Sequence, residues 1–173
     1  MVIAYDFTED VRRSLATARE EAQRLRHAYV GTEHLALGVL RTAGGTAAIV
    51  LADVERDAAM AEIERRAGPC QSTDAPAVDQ LYTSRGKRVL ELAMREALEQ
   101  GQEEVGIEHL LLGLLREDNG IGAKALRGAG LELETARAIV VREASKSPER
   151  SRHRRPSRLL LRFLDWAGWA PRR

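Results

Sequence analysis

The chain repeats itself. Phe7-Thr8 recurs as Tyr82-Thr83, and Val30-Gly31-Thr32-Glu33-His34-Leu35 recurs as Val105-Gly106-Ile107-Glu108-His109-Leu110. Gly38 matches Gly113, Arg41 matches Arg116, Gly45 matches Gly120 and Leu51 matches Leu126. Every pair lies 75 residues apart without a gap. A constant register of that length marks a duplicated structural unit. The units cover about 5–67 and 80–144 and are joined by Gly68–Asp79.

Each unit reads as four helices. In the first helix, after Thr8, the residues Val11, Leu15, Ala18, Ala22 and Leu25 share one face. Thr8 is a suitable cap, and Glu9 and Asp10 suit the positive helix start. The counterpart begins after Thr83 and carries Val89, Leu90, Ala93, Ala97 and Leu98. Thr32 is read as the cap of a short second helix, Glu33–Arg41. Its copy, Glu108–Arg116, is apolar nearly all round and belongs in the middle of a bundle. Gly38 and Gly113 are expected to permit close helix approach, because a helical Gly otherwise costs about 1 kcal/mol. A third short helix follows Gly45 and Gly120, and a fourth covers Glu55–Ala67 and Glu132–Ala144. Gly128-Ala129-Gly130-Leu131 reads as a C-cap turn. Its partner stretch has Asp53 where Gly would be easiest, which suggests strain there. Aromatic residues are only 4% of the 173, so the core must be Leu, Ala, Val and Ile, which favours helix packing. The expected fold is therefore all-α: tandem duplicated four-helix repeats related by a pseudo-twofold axis.

Charge is divided unevenly. Residues 142–173 hold ten Lys/Arg against three Asp/Glu, a net of +7, so the other 141 residues carry −6 of the total +1. Ser145–Arg158 is basic, contains Pro and lacks large apolar residues, and reads as a flexible tether. Leu159–Trp169 follows it, with Leu160, Phe163, Leu164 and Ala167 on one face of an expected short amphipathic helix. Cys70 is the single cysteine and reads as an incidental thiol in the Gly/Pro-containing linker. Met1–Asp10 has no secretory pattern, and no apolar run approaches the roughly 18–20 residues of a membrane span. A cytoplasmic location is expected.

Phe-Thr before a long helix, then Val-Gly-Thr-Glu-His-Leu, Leu-Gly-Val-Leu-Arg and Gly-Thr-Ala-Ala, echoed 75 residues later, resemble the Clp N-domain that fronts the ClpA/ClpC-type AAA+ unfoldases. The resemblance covers about 5–144, and Val105–Glu117 is closer to the ClpC pattern than the first copy. Unlike those unfoldases, the chain has no G-x-x-x-x-G-K-[ST] phosphate loop. It reads as a free-standing N-domain, not an enzyme, with neither cofactor nor metal expected.

The resemblance implies a ligand site in each copy, able to take phosphorylated arginine. Carried over, the candidates are Glu33 with Thr8 and Glu108 with Thr83. The Glu would pair the guanidinium, and the helix start and its Thr would favour the phosphate. Ile107, in place of the motif Thr, is expected to weaken the second site by removing a cap hydroxyl. Read without the resemblance, both Glu residues are first-turn charges that favour the helix dipole. His34 and His109 read as bridges between helix ends, since no His-Glu-x-x-His pattern or nucleophile accompanies them. The implied function is a non-enzymatic adaptor or regulator of Clp proteolysis, partnered by Clp unfoldase or peptidase components or their substrates. The alternative is a binding module outside proteolysis, directed to a membrane surface or another partner by its basic Trp/Leu tail. Nucleic acid is not expected as the main partner.

Overall fold

The computed structural model describes residues 7–68 and 82–146. The strap from Pro69 onward with Cys70, the basic tether beyond Lys146 and the Leu159–Trp169 segment lie outside the described residues. The helices are α1 (Glu9–Arg24), α2 (Thr32–Thr42), α3 (Gly45–Val50), α4 (Arg56–Ala67), α5 (Ser84–Glu99), α6 (Ile107–Glu117), α7 (Ile121–Gly128) and α8 (Leu133–Lys146). Four fall in each unit, as the repeat requires.

The long helices start where the hydroxyl caps stand. Thr8 Oγ1 accepts from the Val11 amide at 3.4 Å, and Thr83 Oγ1 accepts from the Gly86 amide at 3.0 Å. The second helix of each unit starts one residue earlier than the sequence suggests. Gly31 and Gly106 are the caps, and Thr32 and Ile107 are already helical. His34 Nδ1 accepts from the Gly31 amide and His109 Nδ1 from the Gly106 amide, each at 2.9 Å. The imidazole therefore does the work assigned to the Thr32 hydroxyl, and Ile107 removes no cap; it is buried in the core. The strain expected at Asp53 is also absent, because its φ is not positive. The non-glycine residues with positive φ among those described are Arg26 (57°) and Asp118 (71°). Arg26 stands where the second unit has Gly101 at φ 67°, so the first unit holds a β-carbon in a backbone shape that costs an L-residue about 1–2 kcal/mol.

The two units share one hydrophobic cluster. Within each, the first and second helices pack together, α1 on α2 and α5 on α6, and α2 meets α6 between the units. The third helices are exchanged: α3 packs on α6 and α8 of the second unit, and α7 packs on α2 and α4 of the first as well as on α6. Every residue from Ile107 to Leu115 is buried, which fits the all-round apolar sequence of α6. Leu37, Leu40, Leu112 and Leu115 are buried as expected. The conserved spacing of Gly38 and Gly113 has a geometric reason: an added β-carbon would stand 2.4 Å from the Ser14 carbonyl or 2.6 Å from that of Val89.

Each unit also buries a carboxylate against its second helix. Glu21 meets Arg41 at 3.0 Å and Arg24 at 2.7 Å, and Glu96 meets Arg116 at 2.9 Å and Arg137 at 2.7 Å. Burial pushes the Glu96 pKa up, but the hydrogen bonds and charges of Arg137 and then Arg116 outweigh it and hold it below the ordinary value. Among the described residues, no helix is long and apolar enough to cross a membrane.

Candidate functional site

Two backbone clasps position the motif residues. Phe7 pairs with Val105 and Val30 with Tyr82 in parallel bridges. The Thr8 amide donates to the Val105 carbonyl at 3.1 Å, and the Thr83 amide to the Val30 carbonyl at 3.0 Å. The start of each unit's first helix is thus fastened to the motif of the other unit. The expected pairing is reversed: Glu33 shares a cleft with Thr83, and Thr8 stands at the head of the motif that carries Glu108.

The Glu33 cleft encloses about 440 Å³ and is lined by Gly31, Thr32, Glu33, Thr83, Ser84, Arg85, Asn119, Gly120 and Ile121. It is a seam between α2, the start of α5 and the start of α7. The Glu33 carboxylate is folded back over Gly31, where a β-carbon would come within 2.2 Å of Oε1. The same holds at Gly106, with Glu108 Oε1 at 2.5 Å. This gives Gly-x-Glu its chemistry: the glycine leaves the space that the carboxylate fills. Thr32 Oγ1 donates to Glu33 Oε2 at 3.4 Å and accepts from the Gly122 amide at 3.5 Å. Arg85 meets Glu117 at 2.9 Å, and the other Glu117 oxygen accepts from the Gly120 amide at 2.7 Å. A carboxylate, an exposed guanidinium and a Thr hydroxyl that still has its proton to donate therefore converge on one cleft. Arg85 and the α7 start were missed in the sequence. The signal available was the 75-residue offset, which sets Ser84-Arg85 against Glu9-Asp10.

The Glu108 cleft is smaller, about 290 Å³, and opens toward α3 and α8. Its lining includes Gly45, Thr46 and Ile49 of the first unit, and Gln100, Gln102, Glu108, His109, Val140, Glu143 and Ala144 of the second. Glu108 is 8% exposed. Glu143 bonds to Lys146 at 2.8 Å and Arg142 at 3.2 Å. The Lys146 bond leads the effects that hold its carboxyl below the usual range.

The histidines act structurally. His34 Nδ1 accepts from Gly31, so Nε2 carries the proton and donates to His27 Nδ1 at 2.9 Å; His27 Nε2 then donates to the Gly68 carbonyl at 2.9 Å. Burial, then the neighbouring His27, lower the His34 pKa to about 4. His27, Glu33 and His34 bring possible metal-ligand atoms within 4.8 Å. The relay spends the lone pairs of His34 Nδ1 and His27 Nδ1 on internal hydrogen bonds, which argues for a strut rather than a metal centre.

The pattern of the Clp repeat (R) N-terminal domain matches residues 6–129 and 81–168. The chain belongs to this family. It is 42% identical over 146 residues to the ATP-dependent Clp protease ATP-binding subunit ClpC of Staphylococcus epidermidis, covering 83% of this chain and 17% of that protein. It is 40% identical over 145 residues to a chloroplastic ClpC chaperone of Oryza sativa subsp. japonica, covering 83% and 16%. The chain therefore spans about a sixth of the length of these curated relatives. Among solved structures, the Hsp104 N-terminal domain of Candida albicans superposes with a TM-score of 0.64 at 17% identity, over 89% of this chain and 98% of that one. The N-terminal domain of the ClpD chaperone of Arabidopsis thaliana gives 0.64 at 22%, over 82% and 96%. These structures share the all-helical Clp N-domain fold.

Proposed function

We propose that this Clp N-domain is a non-enzymatic recognition module of Clp proteolysis that binds arginine-bearing segments, phosphorylated arginine above all, and presents them to Clp unfoldase or peptidase components. The observation that carries this reading is the Glu33 cleft, where a carboxylate on one wall faces Thr83, Ser84 and Arg85 on the other. A carboxylate suits a guanidinium, and a hydroxyl, helix amides and a second guanidinium suit the phosphate on it. Thr8, Glu33, Thr83 and Glu108 are proposed as ligand-binding residues, with the pairings Glu33–Thr83 and Glu108–Thr8.

The test is calorimetry with free phosphoarginine. Glu33→Ala should weaken binding more than Glu108→Ala, because Ser84-Arg85 flank the first site and Glu9-Asp10 occupy the corresponding positions in the second. Arg85→Ala should reduce the preference for phosphoarginine over arginine. Equal affinity in the wild type and the Glu33/Glu108 double variant would remove both carboxylates from the site. Recovery of Clp subunits on co-purification would support the link to proteolysis, and their absence would favour a binding role outside it.

A further inference from the structure

The two clefts hold the same carboxylate in opposite surroundings. The helix fastened beside Glu33 begins Ser84-Arg85, and the helix fastened to the Glu108 motif begins Glu9-Asp10. A phosphate entering the second site meets acids where the first offers a cation. An unmodified guanidinium faces no such penalty there.

The wall of the Glu108 cleft is also where the described chain ends. Glu143 and Ala144 line it, and α8 ends at Lys146. Arg150 follows four residues later, a reach of roughly 13–14 Å in extended chain, and Arg152, Arg154, Arg155 and Arg158 come next. Lys146 and Arg142 already match Glu143, so the incoming guanidinium is assigned to Glu108. From residue 142 the chain carries +7, against −6 for the rest.

We propose that the chain's own arginine-rich segment, 150–158, docks in the Glu108 cleft and fills it in cis. This rests on the reading that the motif carboxylate seats a guanidinium. Tethering a few residues away supplies the millimolar effective concentration that a single weak ion pair needs. The Glu33 cleft is then the one open to ligands from outside, and a ligand for the second cleft must displace the segment.

Limited trypsin digestion of the full chain, followed by mass spectrometry, reads the docking directly at Arg150–Arg158. At low salt, Glu108→Gln should speed cleavage there severalfold and Glu33→Gln should leave it unchanged; raising the salt should bring the wild type to the Glu108→Gln rate. The same low-salt rate in wild type and Glu108→Gln overturns the proposal. A second arm avoids any change to the core. A full chain with the five arginines replaced by Gln should bind N-acetyl-arginine amide at the Glu108 cleft severalfold more tightly than the wild type, by removal of the internal competitor. Equal affinities overturn the docking but leave the site intact. Failure of the probe to bind either chain, with a clear effect of Glu108→Gln on cleavage, overturns the general guanidinium reading and leaves the docking.

Discussion

His34 links the stability of the fold to pH through a single buried ring. It is fully buried and must stay neutral, because its Nδ1 already accepts the Gly31 amide. Its folded pKa of about 4 lies below the ordinary 6.5. The unfolded chain therefore takes up a proton that the folded chain refuses. The stabilising contribution is full above pH 6.5 and is lost as pH falls from 6.5 toward 4, by about 3 kcal/mol in total. Asn at this position can accept from Gly31 with its side-chain oxygen and does not titrate. His34→Asn should be less stable at pH 7, having lost the bond to His27, yet its urea midpoint should fall less than that of the wild type between pH 7 and 4.5. Parallel falls would place the titration elsewhere. The sequence showed this histidine because the repeat doubles it. It did not show its partner, since a hydroxyl before Glu-His imitates a cap and the true acceptor lies three residues inside the helix.

At the level of the helix, propensity and packing pull in opposite directions at Gly113. Alanine is worth about 1 kcal/mol more than glycine in a helix interior. Here its β-carbon would stand 2.6 Å from the Val89 carbonyl and 2.8 Å from the Ala93 amide nitrogen, both backbone atoms that cannot rotate away. Gly113→Ala should therefore lower stability by about 1–3 kcal/mol, the usual cost of overpacking, as measured by urea unfolding. A gain would mean that α5 and α6 have slack. The type and approximate limits of all eight helices were legible, because apolar spacing and caps are local properties. The exchange of α3 and α7, and with it the pairing of Glu33 with Thr83, was not. A 75-residue offset says that two segments hold equivalent places, and it is silent on whether a segment packs within its own unit or across to the other. Both arrangements bury the same faces. The buried acids Glu21 and Glu96 were missed for a different reason: they obey the offset, but a lone Glu among Arg residues looks like an exposed helix charge.

For the whole molecule, the exchange implies that neither unit can be lost alone. α6 touches α2, α3, α5, α7 and α8, so its side chains belong to both halves. Leu112→Ala should cost about 2–5 kcal/mol, within the range for a fully buried leucine. That loss should appear equally in the amide exchange of α2 and of α6, in one cooperative transition. Exchange that rises in α5–α8 alone would show two independently folding halves.

The clasps at Val30 and Val105 have a consequence for assembly. Each cleft is completed only when the start of one unit reaches the motif of the other. A solitary copy of the unit could make the same cleft only by pairing with a second molecule, and the site would empty on dilution. Joining the two copies in one polypeptide turns that encounter into an internal one, so the cleft persists at any protein concentration at which the chain is folded.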